Sequence, residues 1–356
     1  KQKTAYEIYQ CDWSSDVCSS DLVTSTSRDA RSGSGWGRAR YRRHAGRAIS
    51  NCGASSAISN AHGEAMTLRS VLLLVLLLVP CALRAQVGVD AYKQGVAAMQ
   101  ANDGDAAVKA FEKAIAADDR NAEYHLWLAR ALGIVAQKAS AIRQPFLARR
   151  CKAEFERTTQ LDPSNVPARE GLLQFYMIAP SVMGGSMEKA HEQAEAIGKL
   201  NRLRGHLARG TLAGRQKDTP TMERELRAAW TEFPDSLTAA TTWANFLANN
   251  GRADEALSVM DKALASQKDN ALAQVWYGRI STAAGKQLDR GERALRAALA
   301  SNSLGGEGMP APANVQFRLG ELLAKKGDKA AARQAFEAAL KLNPKLEQAR
   351  KALKEL

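Results

Sequence analysis

Three histidines follow residue 85, His125, His191 and His206, and they are the side chains best suited to acid–base work or metal ligation near neutral pH. His191 opens the string HEQAE, which lacks the second histidine that a zinc-holding H-E-x-x-H helix needs at i+4, so a solvated helical residue is expected. Cys151 is the one cysteine after residue 85. It has no partner for an intramolecular disulfide and no Cys or His at zinc spacing, and it reads as buried and inert. The string APSVMGGSMEKA, 179–190, has a glycine pair but neither a preceding strand nor the G-K-[ST] that cradles a phosphate. Trp127, Trp230, Trp243 and Trp276 fall at helical spacing and are expected to form a core stripe rather than an aromatic cage. No catalytic residue, cofactor site or metal site is expected from these residues.

The elements that would position such side chains are legible from a recurring pattern of small and large residues. Near the C-terminus Gly320, Leu323, Gly327, Ala332, Phe336, Ala339 and Pro344 occupy fixed offsets, and Trp243, Ala244, Leu247, Gly251, Ala256, Met260 and Ala263 repeat them. Gly95, Ala107, Phe111 and Ala114 form an earlier copy, with Asp119 where proline is usual. Gly210, Ala213, Leu226, Ala229 and Pro234 mark a weaker one, as do Tyr277, Gly278, Gly285, Ala294 and Ala297. The leading small or apolar position recurs at Gly95, Ala129, Leu173, Gly210, Ala244, Gly278 and Gly320, in steps of 34, 44, 37, 34, 34 and 42 residues. Small residues at these points let two helices approach closely, and no single pair buries its apolar face alone, so the pairs must stack.

Over Val89–Leu356 this pattern resembles the bacterial tetratricopeptide repeat proteins. The resemblance implies an all-α chain, an α-solenoid of antiparallel helix pairs with about seven repeats wound into a right-handed superhelix. It also implies a concave groove lined from the first helix of each pair, at repeat positions 2, 5, 9 and 12, that accepts an extended or helical peptide. Carried onto this chain, position 9 is Val96, Arg130, Gln174, Thr211, Asn245, Arg279 and Glu321, and position 5 includes Tyr92, Leu126, Glu170 and Phe317. The candidate partner-binding residues are therefore Tyr92, Arg130, Gln174, Thr211, Asn245, Arg279, Phe317 and Glu321. The subtype that clamps a terminal carboxylate pairs Lys at position 5 with Asn at position 9; Asn245 follows Thr241 instead, and no unit has that pair. His206 falls at position 4, where an aromatic normally packs, and is expected to be structural.

The three long steps place insertions at 137–146, 179–185 and 303–313, whose Gly and Pro content predicts broken helices. Each serves either as a spacer or as a binding loop. After Pro344, LEQARKALKEL has the apolar spacing of a final helix that covers the end of the stack.

Upstream of the repeats the chain changes character. Residues 1–8 and 12–22 back-translate into the two ends of a widely used sequencing-library adapter, so 1–22 read as an adapter-derived artefact. Residues 23–65 are rich in Arg, Ser and Gly without apolar periodicity, and are expected to be disordered or untranslated upstream sequence. Met66 opens MTLRSVLLLVLLLVPCALRAQ, with Arg69 as a charged start, Val71 to Val79 as an apolar run and Ala85 before Gln86 as the cleavage point. The run is shorter than the roughly 20 apolar residues of a bilayer span, which favours a signal peptide over 66–85 and leaves 86–356 as the repeat domain. An uncleaved anchor remains the alternative, and Cys81 after Pro80 fits a lipoprotein motif poorly.

Residues 1–85 carry 11 of the 50 Lys and Arg and 6 of the 37 Asp and Glu, which leaves 39 and 31 downstream, a net of +8. Those charges are mixed, without the basic stripe and interleaved aromatics that a nucleic-acid partner would require. The expectation is a periplasmic, non-enzymatic scaffold that binds a protein or peptide. Membrane contact is expected only through the N-terminal segment if that stays uncleaved, as in an inner-membrane-anchored assembly factor. A site hidden in the inserted loops is the enzymatic alternative.

Overall fold

A computed structural model of the chain describes residues 68–305 and 309–356, with the backbone alone described over 68–83. The adapter-like segment 1–22 and the stretch 23–65 lie outside the described residues. Every regular element described is helical. In chain order these are α1 (Leu68–Gln100), α2 (Gly104–Ala117), α3 (Ala122–Lys138), α4 (Gln144–Leu161), α5 (Val166–Ile178), α6 (Met187–Leu200), α7 (Arg202–Arg215), α8 (Thr219–Glu232), α9 (Leu237–Asn249), α10 (Ala253–Ser266), α11 (Ala271–Ala284), α12 (Leu288–Ala300), α13 (Pro312–Lys326), α14 (Lys329–Leu342) and α15 (Glu347–Glu355). The chain divides into two compact units, one running to Gln193 and the other from Ala194, with the boundary inside α6.

Helix starts follow side-chain chemistry. Asn121, Asn165, Asn201, Ser236 and Asn270 each stand before the first helix of a pair and accept a hydrogen bond from a backbone N–H of its first turn. Asp103, Asp218 and Asp328 do the same for second helices. Each such cap satisfies a donor the helix cannot, and contributes about 1 kcal/mol. The turn inside a pair needs a left-handed residue: Gly327 has φ +87 there, and the equivalent turns place Asn102 at φ +58 and Lys217 at φ +63.

In the first unit α1 packs on α2 and α3 on α4, while α1 also touches α3. Phe111 is fully buried, and Leu128, Ala129, Ala131 and Leu132 bury one face of α3. In the second unit α7 pairs with α8, α9 with α10, α11 with α12 and α13 with α14, and the first helices α9, α11 and α13 adjoin in sequence. One core cluster there joins Trp243, Leu247, Met260, Tyr277 and Ile280, and another joins Leu295, Leu322, Phe336 and Ala349. Leu346, Leu353 and Leu356 of the last helix region pack on that second cluster, so α15 covers it as the apolar spacing of 346–356 implies.

The small-residue positions act by close approach. A Cβ built on Gly320 would lie 2.5 Å from the Phe336 ring, and one on Gly95 would lie 2.4 Å from that of Phe111. Gly210 against Leu226 and Gly278 against Leu295 repeat the arrangement. In the sixth pair this register is displaced by one: Leu295 and Ala298 are buried while Ala297, expected inside, is exposed. The cause is an extra residue in the turn, where both Gly285 and Gln287 take left-handed backbone.

Among the described residues helix is interrupted at each insertion, as expected, though over different bounds. Half of 137–146 is helix: α3 continues to Lys138 and α4 starts at Gln144, so the break is confined to 139–143, and Pro145 falls in the first turn of α4, where a proline costs nothing. Residues 179–185 form a tight turn around a short 3-10 helix, Ser181–Met183, tied by hydrogen bonds from Gly185 N to Pro180 O (3.1 Å) and from Ser186 N to Tyr176 O (3.0 Å). Around the third insertion Leu304 and Met309 pack on the second unit's core.

The backbone of α1 is helical from Leu68 and runs unbroken through Ala85 and Gln86. Arg84 Nη2 donates to Ala116 O at 3.0 Å, so contact with α2 starts one residue before the expected cleavage point. Among the described residues no helix is long and apolar enough to cross a membrane.

Candidate partner-binding faces

Repeat positions 5 and 9 fall on the same stripe of each first helix, because four residues advance slightly more than one helical turn. In the first unit that stripe carries Tyr92 at position 5 of α1 and Arg130 and Gln174 at position 9 of α3 and α5. The Tyr92 ring stacks on Tyr124 at 5.5 Å and meets Trp127 edge-on at 6.2 Å, and its hydroxyl donates to Glu123 Oε1 at 2.8 Å. The Arg130 guanidinium lies 5.0 Å over the Trp127 ring. Burial pushes that guanidinium below its usual range, opposed by attraction to Tyr92, Glu170 and Glu123. Tyr92 and Glu170, at position 5 of α1 and α5, thus lie close enough to Arg130, at position 9 of α3, to attract its charge. The structure also ties Arg130 into the packing. Gln174 is half-buried, and Leu126 is buried.

The second unit offers a more open surface. Thr211 and Asn245 are exposed at position 9 of α7 and α9, and the Thr211 hydroxyl donates to Leu207 O at 2.9 Å within its own helix. Arg279 lies 4.1 Å over the ring of Trp276 on α11. Glu321 on α13 accepts from Arg318 Nη1 at 2.9 Å. Phe317 is packed away instead, 6% exposed with its ring 5.6 Å from Phe336, because the apolar face of α13 turns that position into the core.

The sequence reading took the tryptophans as core alone and so missed their link to position 9. Two repeats carry W-x-x-R in the same register, Trp127 to Arg130 and Trp276 to Arg279, one in each unit. Residues three apart share a helix face, so the arginine stem lies over the indole of its own helix. Trp243 is flanked differently, by Arg227 of α8 and by Arg252 just before α10, each 5.6 Å from its ring.

His206 and His125 are held by carboxylates. His206 Nδ1 is 2.9 Å from Glu225 Oε2, which also accepts from Arg209 Nε at 2.9 Å, a structural role of the kind expected for this position. His125 is buried, with Nδ1 2.6 Å from Glu154 Oε2 and Nε2 3.0 Å from Asp119 O. His191 is exposed on α6. Cys151 is buried, its thiol donating to Ala129 O at 3.2 Å, and burial pushes its pKa up to about 12. Among the described residues no three His, Cys, Asp or Glu side chains are grouped to hold a metal ion.

Comparison with known proteins agrees with this geometry. A tetratricopeptide repeat family model matches residues 92–132 and 283–347. Tetratricopeptide-type helix pairs thus occur in both units, within those two stretches. No curated protein matches the chain. Among solved structures, a monomeric mutant of IFIT1 with Gppp-AAAA is 13% identical, with 84% of this chain covering 74% of that one at a TM-score of 0.50. A tetratricopeptide repeat protein from Parabacteroides merdae is 15% identical, with 76% of this chain covering 98% of it at 0.44. PilW, described as a widely conserved type IV pilus biogenesis factor, is 16% identical, with 64% of this chain covering 98% of it at 0.43. The likeness to the IFIT1 structure concerns the fold alone.

Proposed function

We propose that the chain is a non-enzymatic interaction scaffold of the bacterial cell envelope that holds an extended or helical segment of another protein on the first-helix faces of its repeats. The observation that carries this reading is the guanidinium-on-indole pair set at one repeat position in each unit, beside the exposed polar residues Thr211 and Asn245. Tryptophan and arginine dominate the energetics of protein interfaces, because each supplies a large contact area with a fixed polar edge. Stacking of Arg130 on Trp127, with Glu170 and Glu123 attracting its charge, orders the first-unit face before a partner arrives, which lowers the ordering cost of binding.

In this reading the leader over 66–85 exports the chain to the periplasm and is removed after Ala85. A second reading keeps the leader as an inner-membrane anchor. It is favoured by the unbroken helix from Leu68 to Gln100 and by the Arg84 hydrogen bond to α2, both of which cleavage would interrupt. Mass spectrometry of the native N-terminus separates the two: a start at Gln86 supports the periplasmic scaffold, and retention of Leu72 to Leu78 supports the anchor.

The binding claim is tested by affinity capture from the native envelope with the wild type and with Thr211→Arg/Asn245→Arg. Both positions are exposed, so the variant should keep its fold while recovering about tenfold less of the principal partner, a loss of roughly 1.4 kcal/mol. Equal recovery by a folded variant would rule out the second-unit face.

A further inference from the structure

In the second unit, α10, α11 and α12 enclose a cleft of about 390 Å³ that contains none of the position 9 residues. Leu264, Ala265 and Ala294 supply its apolar lining, and three cations border it: Lys268 from the turn after α10, and Arg290 and Arg293 from α12. Asp261 is the one carboxylate that lines it. Arg290 is already engaged, with Nη1 2.6 Å from Asp261 Oδ1 and its guanidinium 4.9 Å over the Tyr277 ring. That pair is neutral in sum.

Lys268 and Arg293 are placed differently. Among the described residues neither has a carboxylate within ion-pair distance. Arg293 feels Asp289, but Asp289 Oδ1 is held by Lys326 Nζ at 2.6 Å. The backbone carrying Lys268 is fixed, because Gln274 Nε2 donates to Lys268 O at 3.0 Å. Two uncompensated cations thus face a partly apolar cleft whose own acid is neutralised. Such an arrangement attracts carboxylates, and an arginine accepts them in bidentate fashion. Lys268, Arg290, Arg293 and Ala265 are all exposed, so the cleft lies open along one side and suits a passing chain better than an enclosed small molecule.

We propose that this cleft is a second docking site, for an acidic segment of a partner protein. Asp or Glu carboxylates of that segment bridge Lys268 and Arg293, while the chain rests on Leu264 and Ala294. The site is separate from the first-helix faces, and each can fail without the other.

The test measures binding of a fluorescein-labelled hexaglutamate peptide to the full chain by fluorescence anisotropy at low salt. Lys268→Gln/Arg293→Gln should bind about tenfold more weakly than wild type. Lys109→Gln/Lys113→Gln, which removes the same charge from exposed residues of α2, should bind like wild type. Circular dichroism checks that both variants keep helical content. Excess inorganic phosphate at matched ionic strength should leave the peptide bound. The proposal is overturned by a wild type that fails to bind the peptide, by equal losses in the two variants, by no loss in Lys268→Gln/Arg293→Gln, or by displacement with phosphate.

Discussion

His125 is held between two acceptors, the Glu154 carboxylate and the Asp119 carbonyl, so its ring bonds both only when both nitrogens carry protons. Burial works against the charged ring and Arg157 opposes it, but the Glu154 and Asp119 bonds prevail and raise the pKa above the usual value. A raised folded-state pKa means the stabilisation is fully present below the unfolded value, about 6.5, and is lost as pH rises through the folded one. Denaturation midpoints should therefore fall over that range in the wild type, and His125→Gln should lack this component; parallel profiles would refute it. Cys151 makes the opposite case, since a thiol pushed up to about 12 carries almost no thiolate at neutral pH. Peptide-resolved labelling with iodoacetamide should leave Cys151 unmodified in the native chain and modify it in denaturant. Prompt labelling of the native protein would show that α3 and α4 open locally at that point.

Between helices, the controlling contact is a missing side chain set against a large one. Gly320→Ala would push a methyl group into the Phe336 ring and should cost about 1–3 kcal/mol by overpacking. Phe336→Leu in the same chain should recover part of that loss, and a strictly additive double mutant would show that the two positions do not meet. These contacts were legible because Gly95, Gly210 and Gly320 each stand sixteen residues before the large residue they touch. The sixth pair broke that count through one extra turn residue, and nothing about Gln287 as a residue type announces left-handed backbone. Pro145 misled in a similar way: a proline reads as a breaker, yet in the first turn of α4 it starts a helix. The candidate site was less legible than the fold. Position numbers nominate Tyr92, Arg130, Arg279 and Phe317 alike, yet Phe317 is core, because burial depends on how each pair stacks on the next. The W-x-x-R strings were present at 127–130 and 276–279 and could have shown that those arginines are stacked.

At the scale of the whole molecule, each helix pair is stable only through its neighbours, so interaction surfaces are best sought on the stripe that every repeat presents. That stripe differs between the units. In the first, aromatic rings and carboxylates surround Arg130, whereas in the second Thr211 and Asn245 are open to solvent and Arg279 lies on its tryptophan. The first-unit face is thus aromatic and acidic, and the second-unit face polar and partly cationic. Site-specific photo-crosslinking tests this most directly, with a photoreactive residue placed in turn at Gln174, Thr211 and Asn245 on first helices and at exposed Arg333 on α14 as the reference. The account predicts covalent capture of one protein from the first-helix positions and none from Arg333. Capture from Arg333 alone, with silence at the other three, would contradict it.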